Sequence, residues 1–413
     1  MKILHTADLH IGKILNEISL LEDQRYILTQ IVQAAREEKV DAVILAGDIY
    51  DRAVPPAEAV LVFNEFMLEL SSLEIPVFII SGNHDSAERL NYASDLLKVQ
   101  NIYIKSLWDG KLEAVQVADG YGTVNFYMLP FARDAVMRHL EMQTQPPKQE
   151  EVVNEDAEGT DRAQEEMDSG SEVSFGRKTQ DFLQEVLNDS KVDYNERNVL
   201  ITHHFVAGNI EDIEQSDSER DTTVGGTNWV ESALFRDFDY VALGHIHHAQ
   251  NAGAPHIRYA GSPLKYSFSE ALHEKSVTII EMKEKGDIDI SERKLTPLHD
   301  LRHIKGMLSQ VVSPEIVAEG AEDYLMVTLT DKEEIFSPLE RLRSVYPNLM
   351  TIQWEKNLGD REGVDAPDKE RIRKKRNILD LYREFYEKVT GAALDEKQMD
   401  VLKKMTEEAD ETD

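Results

Sequence analysis

The sequence predicts an α/β protein, built as a two-sheet sandwich flanked by helices and followed by a small α/β capping domain and C-terminal helices. Three observations favour this class. Short apolar runs alternate with segments of helical periodicity over residues 1–130. Metal-binding side chains follow several of the apolar runs. The length of 413 residues exceeds that of an average single domain, and 41% hydrophobic residues support a substantial core.

The elements of the first domain follow one another in order. The predicted strands "KILH", "DAVILAG" and "IPVFIIS" alternate with the predicted helices "LEDQRYILTQIVQAAREE" and "AEAVLVFNEFMLELSS". Next come "NIYIKS", "LEAVQV" and "TVNFYML", which we predict as consecutive antiparallel strands. A helix is expected near "TQDFLQEVLNDS", and further strands at "NVLITHH", "DYVALGH", "HIRYAG" and "KSVTIIEM". Together they predict a domain spanning residues 1–285.

An acidic segment, residues 141–172, interrupts this domain. It contains eleven acidic residues against Lys148 and Arg162, with Pro and Gly throughout, and is predicted to be a disordered insertion. The chain has a net charge of −33, which by itself argues against a polyanionic partner. This insertion and the acidic C-terminal tail carry much of that charge, so net charge is a weak guide to partners here.

Residues 290–360 are predicted to form the capping domain. Its expected elements are a helix around "LRHIKGMLSQVV", a strand "YLMVTLT", a helix "PLERLRSVY" and a strand "LMTIQW". Residues 361–413 are predicted to form helices and an acidic tail. In that region Ile378, Tyr382, Phe385 and Val389 give an apolar helical stripe, and "DKERIRKKR" is a basic run. The stripe fits packing on its own domain as well as partner docking. The basic run fits a solvated helix face as well as contact with a DNA backbone.

Several classes of protein are excluded by composition. There is no apolar run of about 18 residues, so no membrane-spanning helix is expected. The absence of cysteine excludes disulfides, thiolate metal sites and a cysteine nucleophile. The start "MKILHTADLH" has no apolar signal core. We therefore expect a cytoplasmic protein with no membrane partner.

Side chains typical of metal sites follow the predicted strands. They occur as five short motifs, which contain Asp8 and His10, Asp48 and Asp51, Asn83 and His84, His203, and His245 and His247. The loops at the carboxyl ends of such strands are where α/β folds build their sites. Any one motif alone is explained equally well by a turn, a loop cap or a surface histidine. A single shared site explains all of them together.

The candidate ligands predict a pair of divalent ions. Oxygen and imidazole ligands without thiolate suit Mn²⁺, Fe²⁺, Zn²⁺ or mixed pairs. The set is too large for one ion and suitable for two, and consists of Asp8, His10, Asp48, Asn83, His203, His245 and His247. Asp48 is expected to bridge the ions. Such a pair can activate a water and clamp a phosphoryl group, and it supplies the positive charge that the chain lacks.

The motif order D-x-H, G-D-x-x-D, G-N-H-D, H and G-H-x-H resembles the calcineurin-like metallophosphoesterase superfamily. Protein phosphatases of this superfamily carry Arg and Gly where this chain has Ser81 and Ala53. The segments "DRAVPP" and "RYAGSPLKYSFSE" are instead similar to the bacterial branch of its double-strand-break repair nucleases. The resemblance covers essentially the whole chain, and the acidic insertion is the main departure. The archaeal and eukaryotic branches have His at position 51, so Asp51 is inconsistent with a two-histidine mechanism.

The resemblance implies a dimetal nuclease that processes DNA ends and hairpins in repair, recombination and replication. It acts as a duplex exonuclease and a single-strand endonuclease. The implied metal is Mn²⁺, and the implied partners are DNA, an ATPase bound by the C-terminal helices and a second copy of this chain within a heterotetramer. His84 is the implied catalytic residue at the scissile phosphate, with the Asp51 carboxylate orienting it. Asp85 is expected to hold the turn.

Two other functions stay open at this stage. One is a metallophosphoesterase acting on small phosphodiesters, nucleotides or phosphoproteins, and the other is a scaffold that binds no metal. His204 and His248 each neighbour a candidate ligand, and a structural or substrate-rim role is expected for them.

Overall fold

A computed structural model describes residues 1–131, 168–220, 229–333 and 335–355. The residues from Met1 to Trp354 form one compact unit. A helix spans Asp168–Asp189 and so begins inside the range predicted for the insertion. Residues 141–167 of that insertion lie outside the described residues, and so do the predicted C-terminal helices at 361–413. None of the described helices is both long and apolar enough to cross a membrane.

The described strands, in chain order, are β1 (Lys2–Thr6), β2 (Ile14–Leu15), β3 (Ile18–Ser19), β4 (Ala42–Ala46), β5 (Val77–Ile80), β6 (Ile102–Lys105), β7 (Ala114–Asp119), β8 (Gly122–Leu129), β9 (Arg197–Thr202), β10 (Val206–Ala207), β11 (Val230–Glu231), β12 (Tyr240–Leu243), β13 (Gln250–Asn251), β14 (Ile257–Tyr259), β15 (Ser276–Met282), β16 (Ile288–Lys294), β17 (Leu301–Gly306), β18 (Tyr324–Leu329) and β19 (Leu349–Trp354).

The described α-helices are α1 (Leu21–Glu38), α2 (Ala57–Ser71), α3 (Ala87–Leu90), α4 (Ser94–Leu97), α5 (Asp168–Asp189), α6 (Asp217–Arg220), α7 (Leu308–Val311), α8 (Pro314–Val317) and α9 (Pro338–Arg343). Short 3₁₀ helices span Lys98–Gln100, Ile210–Asp212, Ser232–Phe235 and Phe268–Glu270.

Two six-stranded sheets form the body of the protein. The first has the order β16-β15-β1-β4-β5-β6. Strands β1, β4, β5 and β6 are parallel, β15 is antiparallel to β1, and β16 is antiparallel to β15. The second has the order β13-β14-β12-β9-β8-β7, with β14, β12, β9 and β8 parallel and the outer strands antiparallel. The parallel strands of each sheet end at the same edge, and these edges position the site.

The sheets pack face to face, with helices on their outer faces. Along β4, Val43 and Leu45 pack against α1 and α2, while Ile44 faces the second sheet. Between the sheets, Phe78 and Phe126 stack with their ring centroids 4.2 Å apart. Helix α5 covers the outer face of the second sheet. Because both faces of the central strands are covered, these strands are continuously apolar. This arrangement confirms the predicted two-sheet sandwich.

Strand β6 corrects one sequence prediction. The segments "NIYIKS", "LEAVQV" and "TVNFYML" were expected to be consecutive antiparallel neighbours. Instead β6 pairs in parallel with β5 at the edge of the first sheet, while β7 and β8 form an antiparallel hairpin in the second. The chain therefore crosses between the sheets after β6, a change that local periodicity does not reveal.

Residues 295–355, which we call the capping segment, contain a parallel three-stranded sheet, β17-β18-β19, with short helices between the strands. The helix predicted around "LRHIKGMLSQVV" is wrong for its first half, because Leu301–Gly306 is a strand and only Leu308–Val311 is helical. The reason lies in the pairing of β17 with β18, which decides the structure of a segment with weak local preference. A small core of its own supports this segment, centred on Leu325, Val327, Leu342 and Tyr346.

Asp23 of α1 connects the capping segment to the body. Its buried carboxylate accepts hydrogen bonds from the main-chain N of His299 (3.0 Å), the ring Nδ1 of His299 (3.0 Å) and the hydroxyl of Tyr324 (2.6 Å). Three donors from the capping segment thus depend on one acceptor in the body.

Asp23→Ala is therefore expected to destabilise the fold by about 2–3 kcal/mol, because it leaves the buried Tyr324 hydroxyl and two partly buried donors of His299 without an acceptor. Urea unfolding of the purified protein measures this change. Glu22→Ala, an exposed acid at the neighbouring position of the same helix, is the control and should have a small effect. Equal unfolding midpoints for the two variants would contradict this role of Asp23.

Candidate metal centre

The predicted ligands converge at the carboxyl edges of the two sheets. Asp8 and His10 follow β1, Asp48 follows β4, and Asn83 follows β5, all in the first sheet. The second sheet contributes His203 after β9, and His245 and His247 after β12. Asn83 is partly buried and the other six are buried. The structure therefore brings the whole predicted set together.

One group of donors consists of Asp8, His10 and His247. Their ligand atoms lie within 4.8 Å of one another. The Nε2 atoms of His10 and His247 face each other at 3.1 Å. Two imidazole nitrogens at this distance are compatible with a cation or a proton held between their lone pairs.

A second group forms around His203. Its Nε2 lies 3.2 Å from Asp48 Oδ2 and 3.1 Å from Asn83 Oδ1. The same amide oxygen of Asn83 lies 3.0 Å from Nδ1 of His245. This group therefore offers a carboxylate, an amide oxygen and two imidazoles.

Asp48 lies between the two groups. Its Oδ2 is 3.2 Å from His203 Nε2 and 3.6 Å from His10 Nε2. Asp8 also approaches the second group, with Oδ1 3.8 Å from His203 Nε2. Two carboxylates in the centre and imidazoles on either side form a donor set for two neighbouring cations.

The electrostatics of the centre fit bound cations. Burial raises the pKa of Asp8 to about 7, although His203 and His247 oppose this shift. Burial also raises the pKa of Asp48, but the charge and hydrogen bond of His203, together with the electrostatic contributions of His10 and His84, outweigh it and hold that pKa well below its usual range. Asp8 Oδ2 and His10 Nδ1 are buried without a hydrogen-bond partner among the described residues. Oxygen and nitrogen donors that are buried and incompletely paired fit a divalent transition metal.

Four of the candidate ligands have left-handed backbone conformations. The φ angles are +53° at Asp8, +43° at His10, +50° at Asp48 and +97° at His245. Such conformations cost about 1–3 kcal/mol each in residues other than glycine, and they persist where the surrounding structure enforces them. Here they turn the chain sharply after each strand. Sequence reasoning did not predict this feature, because it arises from the tertiary structure.

The imidazoles are oriented by contacts behind the centre. His203 Nδ1 donates to the carbonyl of Ala46 at 2.7 Å, which leaves Nε2 as the ligand atom. His247 Nδ1 lies 2.9 Å from Ser218 Oγ, and Ser218 donates to Glu270 at 3.0 Å. Glu270 is fully buried and pairs with Lys275 at 2.6 Å. Ser218, Glu270 and Lys275 were missed as site residues. A buried glutamate at the end of "YSFSE" was the only available signal.

His84 lies beside the ligands, with one ring nitrogen within 4.8 Å of ligand atoms of His10 and Asp48. Its ring meets that of His10 edge to face, with the centroids 4.8 Å apart. Its Nδ1 donates to the main-chain carbonyl of Asp51 at 2.9 Å, and its main-chain N donates to Asp48 Oδ1 at 2.9 Å. Because Nδ1 is engaged, Nε2 is the atom available to a substrate.

The contacts of Asp51 correct its predicted role. The carboxylate was expected to orient His84, but the main-chain carbonyl makes that hydrogen bond. The carboxylate instead lies 2.9 Å from Lys13 Nζ and 3.7 Å from His10 Nδ1. The main chain at Asp51 therefore orients His84, whereas the side chain of Asp51 faces His10, a candidate ligand.

Asp85 holds the loop, as expected. Its buried carboxylate accepts hydrogen bonds from the main-chain N of Gly82 (2.9 Å), Ile49 (3.1 Å) and Tyr50 (2.9 Å). These bonds tie the G-N-H-D motif to the G-D-x-x-D motif, and so fix Asn83 relative to Asp48.

His204 and His248 lie outside the two groups. His204 is buried, with Nδ1 2.8 Å from Thr202 Oγ1 and its ring tilted against Phe131. His248 is partly exposed at the rim, beside Glu214.

Gly82 allows the close approach of Asp48. A Cβ at this position would lie 2.0 Å from Asp48 Oδ1 and 2.4 Å from the Asp48 main-chain N. Gly82→Ala is therefore expected to displace the Asp48 carboxylate and to weaken metal binding by at least about tenfold, equal to about 1.4 kcal/mol. Isothermal titration of metal-free protein with Mn²⁺ measures this change.

The matched control for this prediction is Gly120→Ala, where a Cβ would meet open space. It should bind Mn²⁺ as the parent protein does. Unchanged affinity in Gly82→Ala would mean that the loop relaxes at little cost and that its packing does not position Asp48.

Comparisons with known proteins agree with this architecture. Residues 1–249 match the family model described as calcineurin-like phosphoesterase. Residues 297–390 match the model described as type 5 capsule protein repressor C-terminal domain. The SbcD subunit of nuclease SbcCD from Staphylococcus epidermidis is 32% identical over 404 residues, which cover 98% of this chain and 97% of that protein.

Solved structures give weaker matches. A dimetal phosphatase from Danio rerio is similar over 71% of this chain and 96% of its own, with 14% identity and a TM-score of 0.40. An archaeal phosphodiesterase is similar over 71% of this chain and 100% of its own, with 13% identity and a TM-score of 0.28.

Proposed function

Because the chain belongs to the calcineurin-like phosphoesterase family, in the branch of the SbcD nucleases, we propose that it is the nuclease subunit of an SbcCD-type complex. It hydrolyses phosphodiester bonds of DNA with the help of two divalent metal ions. The observation that carries this proposal is the buried cluster in which Asp8 and Asp48 lie between imidazoles on both sides. The similarity to an SbcCD nuclease subunit along almost the whole chain supports DNA as the substrate.

We assign the ligands by their grouping. Asp8, His10 and His247 would hold one ion, Asn83, His203 and His245 would hold the other, and Asp48 would be shared by both. When bound, two such ions activate a water and stabilise the charge on the attacked phosphate. Mn²⁺ is the proposed metal, since it accepts carboxylate, amide and imidazole ligands and the chain contains no thiolate.

His84 is the proposed catalytic residue. With Nδ1–H held by the Asp51 carbonyl, a protonated Nε2 donates to an oxygen of the scissile phosphate or to the leaving oxygen. The carbonyl fixes the ring orientation, so Asp51 acts as a positioning residue for His84. Its carboxylate balances the charge of Lys13 and faces the neutral ring of His10.

The proposed substrates are DNA ends and hairpins, cut in exonuclease and endonuclease reactions during repair, recombination and replication. The capping segment is fixed to the body through Asp23, so it is suited to limiting which DNA reaches the metals. An SbcC-type ATPase is the proposed partner, bound through residues 361–413. We further propose a homodimer of this subunit within a heterotetramer, located in the cytoplasm.

The function is tested with purified protein and Mn²⁺. Linear duplex DNA, a DNA hairpin and a small chromogenic phosphodiester are offered, each with and without the ATPase partner. Cleavage of both DNA substrates is expected, and chelation should abolish it. Turnover of the small diester alone, even with the partner present, would identify an enzyme of small phosphodiesters. Absence of bound metal and of all turnover would indicate a scaffold.

Deletion of residues 365–413 is expected to abolish co-purification with the ATPase while hydrolysis of the small diester continues. The reason is that every proposed ligand of the two catalytic ions lies before residue 250, whereas the apolar stripe from Ile378 to Val389 lies in the deleted part. Pull-down with tagged ATPase and a diester assay measure the two effects separately. A truncated chain that still binds the ATPase would show that docking occurs elsewhere.

A further inference from the structure

A second cluster of metal-binding side chains lies apart from the dimetal centre. It consists of Glu214, His248 and His273, and one donor atom of each lies within 4.8 Å of the others. Glu214 Oε2 is 2.9 Å from His248 Nδ1, and Glu214 Oε1 is 3.1 Å from His273 Nε2. The two imidazole rings stack with their centroids 4.3 Å apart. One carboxylate therefore faces two imidazoles at once.

The contacts within this cluster are incomplete as hydrogen bonds. Nδ1 of His248 and Nδ1 of His273 have no hydrogen-bond partner among the described residues, although Glu214 Oε2 lies 2.9 Å from the first of them. Both atoms are nevertheless shielded from solvent. Buried imidazole nitrogens are normally satisfied, so this pair calls for an explanation. A cation held by the three side chains provides one.

The scaffold around Glu214 is ordered by contacts of its own. The main-chain N of Glu214 donates to Gln250 Oε1 at 3.0 Å, and Gln250 Nε2 donates to the Glu214 carbonyl at 2.8 Å. The main-chain N of His273 donates to the Glu270 carbonyl at 2.9 Å. The donors thus come from three chain segments that are already fixed near one another, which lowers the cost of binding an ion.

We propose that Glu214, His248 and His273 bind a third divalent ion of the Zn²⁺ class. Two imidazoles and one carboxylate, without thiolate, are a ligand set that Zn²⁺ and Co²⁺ accept with water in the fourth position. The bound ion joins the segment before α6 to the segment after Phe268–Glu270. Those segments adjoin Ser218 in α6 and Glu270 in the 3₁₀ helix, which lie 2.9 Å and 3.6 Å from His247 Nδ1 of the catalytic centre. The ion therefore has a structural role, because it holds these two segments together beside the dimetal centre.

The test is a count of bound ions in the full-length chain. Metal-free protein is titrated with Co²⁺, and binding is followed by equilibrium dialysis and by the visible absorption of the bound ion. The parent protein is expected to bind three ions per chain at micromolar free Co²⁺. His273→Asn and Glu214→Gln are each expected to bind two and to lose one component of the visible spectrum.

Two matched controls accompany these variants. Glu211→Gln changes an exposed acid three positions away in the same segment, and His256→Asn changes a histidine bonded to the Arg236 carbonyl. Both should bind three ions. Circular dichroism confirms folding, and Glu214→Gln, which keeps the side-chain shape, decides the question if His273→Asn unfolds.

Three results would overturn the proposal. A parent protein that binds only two ions would show that the cluster is an ion pair. Loss of an ion in the control variants would show adventitious surface binding. Loss of all ions in both test variants would show that the cluster supports the fold of the dimetal centre and binds no ion of its own.

Discussion

His84→Ala is expected to lower DNA cleavage by about two to four orders of magnitude while both metal ions remain bound. The ring supplies the proposed proton donor to the phosphate but is not assigned as a ligand. Its main-chain N, which donates to Asp48 Oδ1, is retained in the alanine variant. The loss should therefore fall on the chemical step and leave the position of Asp48 unchanged. Single-turnover cleavage of duplex DNA and metal analysis of the same sample measure the two quantities.

His204→Ala is a useful comparison for this variant. His204 is a second non-ligand histidine near the centre, hydrogen-bonded to Thr202 and packed on Phe131. We expect it to affect stability more than the chemical step. If His84→Ala also lost its metal ions, His84 would have to be reassigned as a ligand. Full cleavage activity in His84→Ala would remove it from the mechanism altogether.

Asp48→Asn is expected to reduce DNA cleavage as strongly as His84→Ala, but through loss of metal binding. The carboxylate lies 3.2 Å from the Nε2 of His203 and 3.6 Å from that of His10, so it is the donor shared by both groups. An amide keeps the shape but loses the charge and half of the strong acceptor capacity. We expect the variant to bind fewer than two ions and to lose cleavage by about a thousandfold or more. Metal titration and the DNA assay report these losses independently.

Asp41→Asn provides the matched control at the opposite end of the same strand, β4. Asp41 is exposed, directly precedes β4 and accepts a hydrogen bond from the main-chain N of Lys2 at 2.7 Å, whereas the ligands follow the other end of the strand. It should bind two ions and cleave normally. Retention of both ions with high affinity in Asp48→Asn would refute the bridging role and leave Asp8 as the central carboxylate.

The sandwich was predictable because its central strands are buried on both faces. Continuous runs such as "DAVILAG" identify these strands without any knowledge of their neighbours. The position of β6 was not predictable in this way, since an edge strand pairs with whichever sheet its connection allows. The same holds for β17, whose sequence LRHIKG has no regular alternation and acquires a definite structure only beside β18.

The candidate metal ligands could be predicted from the sequence, but the groups that orient the side chains of the site could not. Side chains such as Asp8 and Asp48 follow strong strand signals at short distances, so their convergence follows from a parallel arrangement. Glu270 and Ser218 come from short helical turns without a chemical motif, and only the tertiary structure brings them to His247. The role of the Asp51 carbonyl could not be predicted either, because a main-chain contact leaves no signal in residue identity.

The pairing of β1 with β15 has a consequence for the synthesis of the chain. Lys2 lies opposite Glu281, and the ligands of one metal group extend from Asp8 to His247. A growing polypeptide on the ribosome therefore has neither its central sheet nor its complete ligand set until about two thirds of it has been made. Contacts of such long range also slow folding. Nuclease activity should consequently be absent from growing chains that end before Glu281, so that these unfinished copies cannot cut nucleic acid.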